Sequence, residues 1–145
     1  MAISGDHIVV KMDDASGTLR TFADGDITSM DLGMTFDQHD VTGFGNAVHN
    51  VVNGQMQAPV IIKGFVTTTA DIGTHRVIQG AFAAGSQVSL QVEVGQNAAP
   101  VAGDPKYSGE FYVESYKPAI SNGGAVTFEA SLKPATGTAP VWGIK

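Results

Sequence analysis

The chain contains no cysteine. That excludes disulfide frameworks, thiolate zinc sites and cysteine nucleophiles together. Charge is also scarce. Charged residues make up 15% of the chain, against about 25% in ordinary soluble domains. A surface this poor in charge has more neutral, weakly apolar area than a solitary protein needs, which points to burial in an assembly. The basic residues stand one at a time: Lys11, Arg20, Lys63, Arg76, Lys106, Lys117, Lys133 and Lys145. Phosphate binding draws on clustered Lys and Arg, so nucleic-acid binding is disfavoured. A net charge of −6 makes repulsion of DNA the expectation. No apolar run is long enough to span a bilayer, and Met1–Asp6 lacks the basic and apolar regions of a signal peptide. The expectation is a chain made in the cytosol, with no membrane partner.

Catalytic signatures are missing too. His39 and His49 flank a long segment and, with Asp37 and Asp40, could be imagined around a metal. Their spacing matches no compact ligand pattern, and a polar loop is the favoured reading. His7 and His75 have no His or Glu beside them in sequence and read as surface residues. Glycosidase chemistry needs two facing acids. The only glutamates, Glu93, Glu110, Glu114 and Glu129, fall on predicted strands at spacings that suggest solvent-facing positions. There is no GxSxG. Gly43-Phe44-Gly45 has no strand-to-helix context for dinucleotide binding, and no P-loop lysine follows a glycine run. Tyr107, Phe111, Tyr112 and Tyr116 lack the interleaved basic residues of a nucleic-acid stacking platform. No catalytic, cofactor-binding or metal-binding residue is assigned, and the chain is read as not an enzyme.

What is present is period-two alternation. In Gln87–Val94, residues Val88, Leu90, Val92 and Val94 share one face, and Gln87, Ser89, Gln91 and Glu93 the other. Gly124–Leu132 repeats this, with Val126, Phe128, Ala130 and Leu132 inward. Asp26–Phe36 sets Met30, Leu32, Met34 and Phe36 against Ser29, Asp31 and Thr35, and His7–Met12 is a shorter case. Val60–Thr68 and Ser108–Tyr116 are apolar on both sides, as in strands covered on both faces or packed against another subunit. Asp13–Gly17, Ala23–Gly25 and Ser121–Gly124 carry turn chemistry. One helix is expected over 71–85, with Asp71 or Thr74 as N-cap, Gly85 as the stop, and an apolar face that includes Ile72, Val77, Ile78, Ala81 and Phe82. Residues 38–59 and 95–106 read as long irregular loops, a length that is usually functional. With 145 residues and no repeat or linker, a single domain over 1–145 is the simplest organisation.

Several segments together resemble a known family. Asp40-Val41-Thr42-Gly43-Phe44-Gly45-Asn46 is similar to the "(D/E)VTGFGD" loop of siphophage tail-tube subunits. Met1-Ala2-Ile3-Ser4-Gly5 resembles their N-terminal arm, and Pro105–Phe111 their "PKYSGEA" strand. Ser115-Tyr116 followed by Gly124–Leu132 is similar to their "SY…(G)xVTFSAS" ending. The matches cover about half the chain in consistent order. Asn46 stands where an Asp is common, and 96–104 departs from the pattern.

The resemblance implies a mainly β fold, a two-sheet sandwich or barrel with one helix and long inter-subunit loops. It implies stacked hexameric rings forming a virion tail tube around a tape-measure protein. Tail-end proteins would meet its ends, and genomic DNA would pass without specific binding. Synthesis would be in the host bacterial cytoplasm. An arm over 1–6 and the loop over 38–59 would reach neighbouring rings, through Ile3, Val41, Thr42, Gly43, Phe44 and Gly45. Acids on outward strand positions, Asp31, Glu93, Glu110, Glu114 and Glu129, are the candidates for a negatively lined bore. The alternatives are another tail component, such as a terminator or a secretion-system-like tube ring, or a carbohydrate-binding β-sandwich module.

Overall fold

A computed structural model describes residues 7–45, 47–95, 98–135 and 139–145. Among them ten strands form two sheets: β1 (Ile8–Asp13), β2 (Leu19–Thr21), β3 (Ile27–Leu32), β4 (Thr35–Asp40), β5 (Val51–Gln57), β6 (Val60–Phe65), β7 (Val88–Val94), β8 (Pro105–Ala119), β9 (Thr127–Pro134) and β10 (Val141–Ile144). The larger sheet runs β2-β1-β7-β8-β9-β6-β3, and β10 also pairs with β8. The second sheet is the β4–β5 hairpin. All pairings are antiparallel. The expected mainly β, two-sheet architecture is what forms.

The long strand β8 joins two layers. Its first half, up to Phe111, pairs with β7 on one side and β10 on the other. Its second half pairs with β9 alone. The alternating residues of the sheet meet in one core: Val10 and Met12, Val88, Leu90 and Val92, Tyr107 and Phe111, Phe128, Ala130 and Leu132, Val60 and Ile62. Each large aliphatic or aromatic side chain so buried contributes about 1.5–3 kcal/mol relative to exposure. The two ends of the sheet face each other across the same core. Ile8, Val10, Val92 and Val94 from one layer and Met30 and Leu32 from the other line a groove of about 610 Å³ at the open seam, with Trp142 beside them.

The helix is shorter and less regular than expected. It begins at Thr74, widens into a π-helical turn over His75–Gln79, and continues as α-helix over Gly80–Ala84. Gly85 stops it as expected, with φ 65° and its N–H turned back to Ala81 and Phe82. Asp71 does not cap it; its φ of 68° places it in a turn before the helix. Val77, Ile78 and Ala81 are buried, whereas Phe82 is exposed. The Thr74 hydroxyl is engaged elsewhere, donating to the Phe65 carbonyl at 2.6 Å.

Two strand boundaries differ from the sequence reading. The alternation over 26–36 continues through Gly33 and Met34, but the strand breaks there into β3 and β4. Residues 38–59 are not an irregular loop. They hold the end of β4, all of β5 and the hairpin tip between them. Every residue of β4 is exposed. A strand wetted on both faces carries no alternation to reveal it.

Candidate assembly surfaces

Strands β8 (second half), β9, β6 and β3 form a four-stranded unit with two free edges. Among the described residues, the β8 backbone from Tyr112 to Ala119 is paired only on its β9 side, and β3 is paired only with β6. The other margins are blunter: β2 has three residues and β10 four. An unpaired edge invites strand addition by another chain. The inner face of this unit is sealed by the core and the helix, where His75 Nδ1 lies 3.2 Å from the Tyr116 hydroxyl and Tyr116 stacks on Phe128.

The outer face is set by register. Ser29, Lys63, Glu129 and Lys117 align across β3, β6, β9 and β8, and Asp31, Ile61, Ser131 and Ser115 form the next row. A bulge between Val113 and Ser115 adds one residue to β8, which turns Glu114 outward. There Glu114 accepts from the Ser131 hydroxyl at 3.3 Å and lies 3.8 Å from Lys133 Nζ. Three of the candidate acids, Asp31, Glu114 and Glu129, therefore share this face, and they stand among Lys63, Lys117 and Lys133. In the sequence these lysines stand one at a time, and only the strand register gathers them on this face. They sit at the same outward parity as the acids, and that parity is the signal that could have found them.

The other two acids lie in the opposite layer. Glu110 is partly buried, paired with the Ser89 hydroxyl. Glu93 is a correction. Its parity is outward, but it is 2% exposed and cannot line a bore. Lys11 Nζ lies 3.3 Å and Lys145 Nζ 2.9 Å from its carboxylate. The Lys145 ammonium, with help from Lys11, holds this carboxyl below the ordinary value of 4.5 against the opposing effect of burial. Lys145 also donates to the Pro100 carbonyl at 3.0 Å. Glu93 thus anchors the C-terminal strand and the 98–104 segment to β7.

The hairpin projects with little core of its own. Phe36, Val41, Phe44, Val48, Val51 and Val52 are exposed, and Phe44 is fully so. Its tip is nonetheless ordered by local bonds. The Thr42 N–H donates to Asp40 Oδ1 at 2.8 Å, the Asn50 N–H to the Thr42 hydroxyl at 2.8 Å, and the Val41 N–H to the Asn50 carbonyl at 2.8 Å. The Thr42 hydroxyl and N–H hold the Asp40 carboxyl below its usual range. Val41, Thr42, Gly43, Phe44 and Gly45 are brought together at this tip; Ile3 lies outside the described residues. Of the histidines considered for metal, His49 approaches Asp40 at 3.8 Å and His39 is on β4. No group of three or more His, Asp or Glu side chains converges among the described residues.

No protein-family profile matches the chain, and no curated protein matches it in sequence. Solved structures do match its fold. One is the tail of an empty gene transfer agent particle with C6 symmetry, at 20% identity and TM-score 0.74, covering 98% of this chain and 99% of that one. The SPP1 tail tube matches at 14% identity and TM-score 0.75, covering 99% and 80%. The sheath–tube complex of an extracellular contractile injection system, PVC, matches at 11% identity and TM-score 0.66, covering 99% and 93%. Identities this low establish the fold. The chain has the tail-tube fold over nearly its whole length.

Proposed function

We propose that this chain is a structural, non-enzymatic tail-tube subunit whose copies join into hexameric rings, which stack into a hollow virion tail. The observation that carries this reading is the four-stranded unit with both edges unpaired among the described residues and an outer face whose charged residues are all exposed. The similar structures are tails and tubes, one of them with C6 symmetry. Joined edge to edge, such units make a closed barrel, which removes the edges from solvent. The outer face then becomes the bore wall.

That wall carries interleaved acids and lysines rather than acids alone. DNA passing along it meets no continuous cationic track, which is the condition for strong phosphate binding. A tape-measure protein would occupy the bore before DNA, and tail-end proteins would meet the terminal rings.

The hairpin is the proposed contact between rings. An isolated two-stranded hairpin is marginal in water, and the exposed Phe44 at its tip is the natural anchor for burial in an adjacent ring. The arm over 1–6, with Ile3, is assigned to the same contact by resemblance.

Negative-stain microscopy of the concentrated protein tests the proposal. Rings or hollow rods are expected; a chain that stays monomeric at every concentration overturns it. A second reading, a tube-terminating ring, is favoured by the match to a tube-terminating cap at TM-score 0.66. Single rings that never stack would select it.

A further inference from the structure

Resting on the ring reading, we infer that Asp31 at the β3 edge forms an ion pair with Lys117 at the β8 edge of the next copy. Ring closure is then keyed by charge as well as by backbone hydrogen bonds.

The strand directions allow the join. Successive antiparallel pairings leave β3 running opposite to β8, so β3 meets a neighbouring β8 as an antiparallel partner. Parity then restricts the register. A shift of one residue would turn every core side chain of the added strand toward water, so outward residues must meet outward residues. On β3 the only outward charge is Asp31, which stands across from uncharged Ile61 within its own copy.

The β8 edge offers Glu114, Ser115, Lys117 and Ala119 on that face. Glu114 is already engaged by Ser131 and Lys133 of its own copy. Registers that carry Asp31 toward Tyr112 set it beside Glu114, and like charges placed opposite each other are destabilising. Opposite Ser115 it would again adjoin Glu114, and opposite Ala119 it would pass Pro118; directly opposite Lys117 it meets a cation at the shortest cross-strand spacing. Pro118 supplies no N–H, so it limits the useful edge to the stretch that ends at Lys117. The pair also continues a pattern already present: the row Lys63, Glu129, Lys117 is extended across the joint by an acid.

The test compares ring formation by the unaltered chain, Asp31→Lys, Lys117→Glu and the double exchange, using sedimentation and negative-stain microscopy. Both positions are exposed, so the monomer is expected to fold in all four. Each single exchange should raise the concentration needed for rings by about tenfold, the scale of one interfacial charge pair. The double exchange should restore it. Rings at equal concentration in all four proteins, or a double exchange no better than the singles, overturn the pair and leave the ring reading standing. Absence of rings in the unaltered chain overturns both.

A cross-link gives an independent measurement. Within one copy the two positions are three strand spacings apart, about 14 Å, too far for a disulfide. In this cysteine-free chain, Asp31→Cys with Lys117→Cys should therefore give only inter-subunit ladders on oxidation of assembled rings. Uncross-linked chains from intact rings count against the inference.

Discussion

Glu93 separates two physical pictures by magnitude. As a solvent-facing strand acid, its replacement by Gln would change stability by no more than about 0.5 kcal/mol. In the structure it is 2% exposed and flanked by two ammonium groups. Hydrogen bonds to a charged group contribute about 1.5–3 kcal/mol each. Both values must be reduced, because the lysine side chains are 27% and 37% exposed and can return to water. The Lys145 contact is also close but poorly aligned. The expected cost of Glu93→Gln is therefore about 2 kcal/mol at neutral pH.

Urea unfolding of the unassembled chain reads this directly. With a slope of about 2 kcal/mol per M, the midpoint should fall by about 1 M at unchanged slope. The sign of the pH dependence follows from the lowered carboxyl value. Stability from Glu93 is present above its ordinary value of 4.5 and is lost as pH falls through the folded-state value. The gap between the unaltered chain and Glu93→Gln should narrow on the acid side. An unchanged midpoint at neutral pH would refute the buried anchor.

Other outcomes follow from the same structure. Phe44→Ala should leave monomer stability within about 0.5 kcal/mol, since the ring packs on nothing, while shortening tubes; normal tube length at normal concentration counts against the inter-ring role. The fully buried Tyr107 hydroxyl has no hydrogen-bond partner among the described residues, so Tyr107→Phe should raise stability by about 1–3 kcal/mol in thermal or urea unfolding. Burial also pushes the Tyr107 hydroxyl up to about 12 from 10.0, so the unaltered chain should lose stability between those values as pH rises, and Tyr107→Phe should lose less. At Gly64, an added Cβ would lie 2.1 Å from the Asp26 carbonyl oxygen. Gly64→Ala should therefore cost about 1–3 kcal/mol through forced backbone shifts, and calorimetry showing no loss would contradict that approach.

Some of the fold was legible because it obeys local rules. β1, β7 and β9 follow strict alternation, and most of their inward residues are buried: Val10 and Met12, Val88, Leu90 and Val92, and Phe128, Ala130 and Leu132; Ile8 is exposed, and Glu93 is buried against its parity. The turn at Ser121–Gly124 and the stop at Gly85 follow from positive-φ chemistry, seen at Gly123 and Gly85. The hairpin escaped notice because Phe36, Asp37, Gln38 and His39 are all wet; β10 escaped because its four residues are exposed as well.

The candidate site was legible in part. The hairpin tip from Val41 to Gly45 was picked out by motif, and Asp31, Glu114 and Glu129 by exposure. Glu114 reached its face only through a bulge, and Glu93 left the exposed set by pairing with Lys11 and Lys145, eighty-two and fifty-two positions away.

By itself, the order of residues determined which side chains seek the core, where the chain turns, and that cysteine chemistry is absent. These depend on neighbours within a few positions, through alternation, φ preference and composition. Tertiary structure decided which edges stay unpaired, which acids meet lysines and which meet water. Those outcomes depend on strand order and register between segments far apart in sequence, and a register shift of one residue would turn every side chain of a strand to its other face.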